Sequence, residues 1–104
     1  DPGIGFGKTV AQNFALLARQ RELLAAGYPL LVGWSRKSSL GAVLQGDAAR
    51  PPAPAERVTA SVAAALLAVE RGARIVRVHD VRQTAQAFKV YGAVREADRF
   101  CAKP

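Results

Sequence analysis

The sequence opens with a carboxylate followed by a glycine-rich turn, a combination that can bind a flat, donor-rich ligand. Residues 1–9 are DPGIGFGKT, in which three glycines fall within five positions after Asp1. Glycine lets the backbone adopt positive φ and lets a ligand lie close to the main chain. The phosphate-binding loop requires glycine where Pro2 stands, and the dinucleotide fingerprint requires glycine where Lys8 stands, so both nucleotide motifs are excluded. This stretch therefore predicts one wall of a binding site.

A second polar cluster, GWSRKS at residues 33–38, directly follows a short apolar run. Side chains alternate along extended backbone, so we expect Ser35 and Lys37 to face one side and Trp34 and Arg36 the other. A lysine at the end of a strand is more often a solvated surface residue. A position just past the carboxyl end of a buried parallel strand favours a ligand-binding role instead.

The third cluster is RVHD at residues 77–80. By the same alternation Arg77 and His79 share a face, which places a planar guanidinium beside an imidazole. Two interpretations of His79 stay open. It is either a structural histidine hydrogen-bonded to Asp80 or to the backbone, or it forms an anion site together with Arg77. Asp80 is also well placed to cap the helix that follows.

Helices and strands alternate along the chain in the order expected of βα units. Apolar periodicity and turn residues predict, in order, a helix over 9–26, a strand over 29–34, a short helix over 40–44, a loop over 45–54, a helix over 55–71, a strand over 75–79, and a helix from 81 that frays towards the C-terminus. Such an order predicts an α/β fold with a parallel sheet. Ligands bind at the carboxyl ends of parallel strands, so the three clusters are expected to form one site.

Composition narrows the classes of protein that fit. Fifteen Lys and Arg against eight Asp and Glu give a formal charge of +7. This charge fits phosphorylated small molecules, nucleic acid or an anionic membrane, although dispersed arginines favour a solvated basic surface. Cys101 is the single cysteine, so a disulfide and a cysteine-based metal site are excluded within the chain, and a cytoplasmic location is the default. The longest apolar run, residues 63–69, is far too short to span a membrane.

In order and spacing, the DPGIGFGK, LVGWSRKS and RVHDV stretches closely resemble the C-terminal portion of dihydropteroate synthases, over about residues 1–90. The resemblance implies an α/β fold that is the C-terminal part of a TIM (β/α)8 barrel, with about two complete parallel strands and three helices. It implies one partial pterin-binding barrel domain over residues 1–104. It also implies an enzyme of folate biosynthesis that joins p-aminobenzoate to 6-hydroxymethyl-7,8-dihydropterin diphosphate and releases diphosphate.

The same resemblance assigns roles to the three clusters. Asp1 would accept hydrogen bonds from the pterin ring N–H and amine, and Lys37 would donate to pterin acceptor atoms. Arg77 would cover a pterin face while reaching towards phosphate, and His79 would hold the diphosphate. The remaining predicted substrate contacts are Phe6 and Ser35 on the p-aminobenzoate side, Arg36 near them, and Gly5.

The resemblance also implies features outside these clusters. Mg2+ would assist, with its ligands in an upstream part of the protein, and the full-length protein would be a homodimer. The chain contains no methionine and has a candidate binding residue at position 1, so we expect it to be the C-terminal part of something longer and inactive alone. No binding of nucleic acid or of a membrane is expected.

Two other classes of protein fit parts of the sequence. The pterin-binding barrel of methyltetrahydrofolate-dependent methyltransferases also holds its pterin by an aspartate at a strand end. Such an enzyme has no diphosphate for Arg77 and His79 to hold, which counts against it. A basic nucleic-acid-binding module fits the net charge, but it would need basic residues and aromatics together on one surface, and the basic residues here are scattered.

Overall fold

The computed structural model describes residues 1–101, and within them two short parallel strands are packed among helices. The elements are, in order, α1 (Val10–Ala18), a 3-10 helix (Gln20–Ala26), β1 (Leu31–Val32), α2 (Ser38–Gln45), a second 3-10 helix (Pro54–Glu56), α3 (Val58–Glu70), β2 (Ile75–Val76) and α4 (Val81–Cys101). The strands are neighbours in register, with Leu31 opposite Ile75 and Val32 opposite Val76. The predicted alternation of helices and strands in a parallel sheet is confirmed.

α1 begins at a well-formed cap and ends earlier than predicted. The Thr9 hydroxyl accepts from the N–H of Gln12 at 3.1 Å, and the Gln12 side chain accepts from the N–H of Thr9 at 2.9 Å, a reciprocal pair that satisfies two free donors. At Arg19 the backbone leaves the α conformation (φ −107°, ψ 17°), and the chain continues as a 3-10 helix. The prediction of one helix over 9–26 is therefore wrong.

The break after α1 turns Gln20 into the interior. Its side chain is fully buried, and Nε2 donates to the carbonyls of Ala68 at 2.9 Å and Arg71 at 3.2 Å. Both carbonyls lie at the end of α3, where the last turn of a helix leaves carbonyl groups without intrahelical partners. The end of α3 thus holds the segment after α1 through the side chain of Gln20. If α1 continued as an α-helix through Gln20, this side chain would point in another direction.

The core lies between the two strands and the faces of α1, α2 and α3. Its buried apolar residues are Ile4, Leu17, Leu30, Val32, Trp34, Leu40, Ala64, Ala68 and Ala73. Trp34 packs on Phe14 of α1, with ring centroids 4.9 Å apart. α3 presents small buried residues to the sheet, which lets helix and strands approach closely. Burial of this kind is the main source of stability in a small α/β unit.

Both predicted strands are longer than the observed ones, because Leu31–Val32 and Ile75–Val76 have two residues each, against the predicted 29–34 and 75–79. Three predicted helices also differ from the structure at their boundaries. The helix predicted over 55–71 is divided at Arg57, where the backbone lies outside the α region, and α3 follows it. α2 is longer than the predicted 40–44. α4 remains helical to Cys101 over 21 residues, rather than fraying. Among the described residues no helix is long and apolar enough to cross a membrane.

Candidate functional site

The glycine-rich segment 1–9 forms a tight turn in which every glycine has a positive φ. Gly3, Gly5 and Gly7 have φ values of 71°, 86° and 64°, a region that side-chain-bearing residues rarely adopt. The N–H of Phe6 donates to the carbonyl of Gly3 at 3.1 Å. The carboxylate of Asp1 accepts from the N–H of Gly3 at 2.8 Å. The predicted need for positive φ in this stretch is confirmed.

Two lysines hold this turn through its carbonyl groups. Lys8 donates to the carbonyls of Gly3 at 2.9 Å and Phe6 at 3.0 Å. Lys37 reaches across from the segment after β1 and donates to the carbonyl of Ile4, while its Nζ lies 4.8 Å from the centre of the Phe6 ring. Burial lowers the pKa of Lys37 below its ordinary value of 10.5, and the nearby charges of Arg77 and Lys8 lower it further.

The backbone turns sharply after β1, so residues 34–37 are not the extended segment that the prediction assumed, although Ser35 and Lys37 line one cavity together, as predicted. The N–H of Lys37 donates to the carbonyl of Trp34 at 3.1 Å. Between them, Arg36 has a φ of 58°, the one positive value at a non-glycine residue in the part of the chain that is described. A side chain in this region is strained unless neighbouring contacts hold it.

Two residues of the α3 region hold Arg36 in that conformation. The hydroxyl of Ser61 accepts from the N–H of Arg36 at 2.8 Å, and Arg57 donates to the carbonyl of Arg36 at 2.8 Å. Both backbone groups of the strained residue are therefore satisfied. Sequence reasoning missed Ser61 and Arg57, because no local pattern links them to a turn more than 20 residues earlier.

The side chain of Arg36 pairs with Asp80 rather than standing free. Nε lies 3.2 Å from Oδ2 and Nη2 lies 2.8 Å from Oδ1, with side chains 32% and 11% exposed. Hydrogen bonding from this guanidinium lowers the pKa of Asp80 below its ordinary value of 3.8. The carboxylate thus serves Arg36 instead of capping α4 as predicted. Asp80 begins the helix through its carbonyl, which accepts from the N–H of Thr84 at 3.0 Å.

Arg77 lies between the glycine-rich turn and the end of β1. Its Nη1 lies 3.4 Å from Oδ2 of Asp1. The guanidinium packs directly against the backbone of Gly33, since a Cβ added there would lie 2.4 Å from Nη2. Its backbone N–H donates to the carbonyl of Val32 at 3.0 Å, which extends the strand pairing beyond β2. The structure therefore brings Asp1 and Arg77 together, as predicted.

His79 has Ser35 as its partner, an arrangement that neither interpretation of the sequence included. The Ser35 hydroxyl oxygen accepts from the backbone N–H of His79 at 3.0 Å and lies 2.8 Å from Nδ1 of the ring. A small cavity of about 120 Å³ is lined by Gly33, Ser35, Lys37, Arg77, Val78 and His79. Three potential cations, Lys37, Arg77 and His79, thus surround one opening at the carboxyl ends of both strands.

A buried asparagine behind the turn was also missed. Asn13 is 1% exposed, its Oδ1 accepts from the N–H of Gly5 at 3.0 Å, and its Nδ2 donates to the hydroxyl of Ser39 at 2.9 Å. The sequence did contain a signal, because position 13 falls on the apolar stripe that Val10 and Leu17 define. Within residues 1–101, no group of three His, Cys, Asp or Glu could hold a metal ion.

Comparison with known proteins places this geometry in a family. Residues 1–79 match the sequence model of a family that is described as "Pterin binding enzyme". The chain belongs to the family of pterin-binding enzymes.

Within that family the similar proteins are dihydropteroate synthases. The synthase of Neisseria meningitidis serogroup B is 55% identical over 97 residues, which cover 90% of this chain and 32% of the relative. That of Escherichia coli strain K12 is 45% identical over 97 residues, with 93% and 32% covered. The chain therefore spans about a third of the length of these relatives.

Solved structures show the same likeness. The Stenotrophomonas maltophilia dihydropteroate synthase with active-site-bound imidazole is 56% identical, has a TM-score of 0.82, and is matched over 89% of this chain and 33% of its own. The Xanthomonas albilineans enzyme in complex with 7,8-dihydropteroate is 45% identical, has a TM-score of 0.85, and is matched over 100% of this chain and 36% of its own. These comparisons confirm the predicted resemblance and the fold class, part of a TIM barrel.

Proposed function

We propose that this chain forms part of a dihydropteroate synthase, which condenses 6-hydroxymethyl-7,8-dihydropterin diphosphate with p-aminobenzoate in folate biosynthesis and releases diphosphate. The observation that carries the proposal is the convergence of Asp1 with Lys37, Arg77 and His79 at one edge of the sheet. It is supported by solved Xanthomonas albilineans synthases in complex with 7,8-dihydropteroate and with 4-aminobenzoic acid. A methyltransferase would have no diphosphate for Arg77 and His79.

The pterin would lie between the carboxylate of Asp1 and the ammonium of Lys37. A carboxylate binds the adjacent N–H and amine donors of a pterin through two parallel, charge-assisted hydrogen bonds. Lys37 has the complementary function, because its ammonium can donate to ring acceptors while keeping its bond to the carbonyl of Ile4. The carboxylate of Asp1 is paired with Arg77. Because this contact is 3.4 Å long, a pterin that binds to Asp1 can replace it.

The diphosphate would lie against Arg77 and His79. A hydroxyl has one proton, so a Ser35 that donates to Nδ1 leaves the proton of the neutral imidazole on Nε2. Nε2–H is then a donor towards an anion, and protonation of the ring would add a charge to it. Ser35 therefore acts by orienting His79. The predicted places of Ser35 and Phe6 on the p-aminobenzoate side, with Arg36 nearby, and of Gly5 as a further substrate contact stay part of the proposal.

The reaction would proceed by loss of diphosphate with positive charge developing on the pterin methylene carbon, followed by attack of the p-aminobenzoate nitrogen. Fixed cations aimed at the departing group lower the barrier, because they stabilise charge where it develops. No side-chain nucleophile is needed. We assign no step to Mg2+, whose ligands the resemblance places in an upstream part of the protein. The homodimer rests on the resemblance, and the cytoplasmic location rests on the presence of a single cysteine.

The test replaces the matching third of the Neisseria meningitidis serogroup B synthase with this chain and measures diphosphate release. The chimeric protein should release diphosphate only when both substrates are present. Arg77→Ala should lower kcat/KM by about a hundredfold or more, the usual cost of losing a group that stabilises developing charge. Arg74→Ala removes an exposed arginine three residues earlier in the sequence. This control should change kcat/KM by less than about twofold, as is usual for a surface residue away from the site.

Two results would count against the proposal in different ways. A folded chimera that binds neither substrate and releases no diphosphate would overturn the function. If the chimera is active and neither Arg77→Ala nor Arg74→Ala lowers its kcat/KM, the proposed function would be supported and the assigned site would be wrong.

A further inference from the structure

We infer that Asn13 is a positioning residue of the pterin site, whose buried amide sets the spacing between Asp1 and Lys37. This inference rests on the proposed function. Asn13 is hydrogen-bonded to neither Asp1 nor Lys37. It acts through the backbone N–H of Gly5 and the hydroxyl of Ser39, to which it is hydrogen-bonded at 3.0 and 2.9 Å.

The two partners of Asn13 belong to opposite walls of the site. Gly5 lies in the turn that begins at Asp1, and Ser39 lies in the first turn of α2, two residues after Lys37. Asn13 and Ser39 are 1% and 3% exposed, so water cannot replace the hydrogen bond between them without entering the core, and the bond from Asn13 to the exposed Gly5 is part-buried. One rigid amide therefore fixes both walls to the same point of α1.

The walls are in close contact at this point, which makes their spacing sensitive. A Cβ added to Gly5 would lie 3.2 Å from Cδ of Lys37, and the ammonium of Lys37 is bonded to the carbonyl of Ile4. A turn that moved away from α1 would draw this lysine with it and change the gap that the pterin must fill. A displacement on the order of 1 Å in a binding site is enough to cost about a hundredfold in rate.

The chemistry of the amide decides which substitutions matter. Leucine is close in volume but offers neither the acceptor for Gly5 nor the donor for Ser39. Aspartate keeps the acceptor, and the hydroxyl of Ser39 can reverse its role and donate to the second carboxylate oxygen. Asn13→Leu should therefore separate the walls, whereas Asn13→Asp should largely preserve them.

The experiment measures steady-state kinetics of these variants in a full-length synthase that contains this chain. Asn13→Leu should raise the KM for dihydropterin diphosphate by about tenfold or more with a smaller change in kcat, since binding geometry is what it disturbs. Asn13→Asp should stay within about threefold of the unchanged protein. If Asn13→Leu fails to fold, Asn13→Ala removes the amide without adding bulk and carries the same expectation.

Gln20→Leu is the matched control for a purely structural role. Gln20 is equally buried and its amide also makes two hydrogen bonds, to the carbonyls of Ala68 and Arg71 at the end of α3. It should lower stability and leave the KM unchanged. Provided that the protein without substitutions is active, two results would overturn the inference. One is an unchanged KM for dihydropterin diphosphate in Asn13→Leu, and the other is a rise in this KM that is as large in Gln20→Leu as in Asn13→Leu. Absence of turnover in the unchanged protein would instead count against the proposed function.

Discussion

The contact between Gly33 and Arg77 shows how one missing side chain can place a functional group. Gly33 has no positive φ to explain it, yet a Cβ there would lie 2.4 Å from Nη2 and 2.8 Å from Cζ of Arg77. The glycine thus provides a flat surface of backbone for the guanidinium. Because the end of an arginine side chain is flexible, an added methyl group would displace it at little cost in stability.

We therefore predict that Gly33→Ala impairs function without unfolding the protein. It should lower kcat/KM for dihydropterin diphosphate by about tenfold or more, as expected when a binding group is shifted, with little change in the thermal midpoint. Gly92→Ala is the control, because nothing lies within 4 Å of its added Cβ. In the middle of α4 it should stabilise by roughly 0.5–1 kcal/mol and leave the kinetics unchanged. An unaffected Gly33→Ala variant would show that Arg77 need not occupy this position.

Individual side chains could be predicted only where a local rule governed them. The three glycines of the first turn, and the shared opening of Arg77 and His79, followed from backbone freedom and from alternation along a strand. Alternation failed at Arg36, because its positive φ is imposed by Arg57 and Ser61 from the α3 region. The partner of His79 was missed because it is also a long-range contact, since Ser35 is 44 residues away in sequence.

The ion pair of Arg36 with Asp80 joins two elements, the turn after β1 and the start of α4. Arg36→Leu should lower the free energy of unfolding, because the carboxylate of Asp80 is only 11% exposed and would lose its partner. Chemical denaturation of the chimeric protein described under the proposed function checks this. Arg19→Leu is the control, because its pair with Glu22 is 75% and 61% exposed and such exposed pairs contribute little.

The same pair predicts a pH dependence. The pKa of Asp80 is lowered in the folded state, so its stabilising contribution is fully present above the unfolded value and is lost as pH falls through the folded one. The stability difference between the unchanged protein and Arg36→Leu should therefore be constant near neutral pH and shrink below 3.8. A difference that persisted undiminished in acid would show that lost packing, rather than the ion pair, causes it.

At the level of helices and strands, the order was predictable and the breaks were not. Apolar periodicity and turn residues were sufficient for the succession of elements. The break at Arg19 was not predictable, because Gln20 is turned inwards by carbonyls 48 and 51 residues further along. Long-range hydrogen bonds of this kind override the local preference that a periodic pattern expresses.

Across the whole molecule, several apolar side chains of β2 and α4 are exposed. Ile75 in β2 is 53% exposed, although strands of parallel sheets are normally covered on both faces. Val81, Val90 and Val94 of α4 are more than 60% exposed. Together with a coverage of about a third of each relative, this predicts that the chain expressed alone neither packs stably nor functions.

The isolated chain should bind a hydrophobic dye strongly, unfold without a cooperative transition and release no diphosphate. The chimeric protein described above is the control, and in it the same residues should be protected from the dye. Sharp cooperative unfolding of the isolated chain would contradict the expectation of poor packing. Diphosphate release by the isolated chain would contradict the expectation that it is inactive.

The packing of Trp34 on Phe14 has an optical consequence. Trp34 is the single tryptophan of the sequence, is 3% exposed, and stacks at 4.9 Å on a ring that belongs to α1. Its indole N–H has no hydrogen-bond partner among residues 1–101, so its emission should lie to the blue while α1 covers the ring and shift to the red when α1 moves away. Trp34 is therefore a built-in fluorescent marker for the packing of α1 against the segment that follows β1.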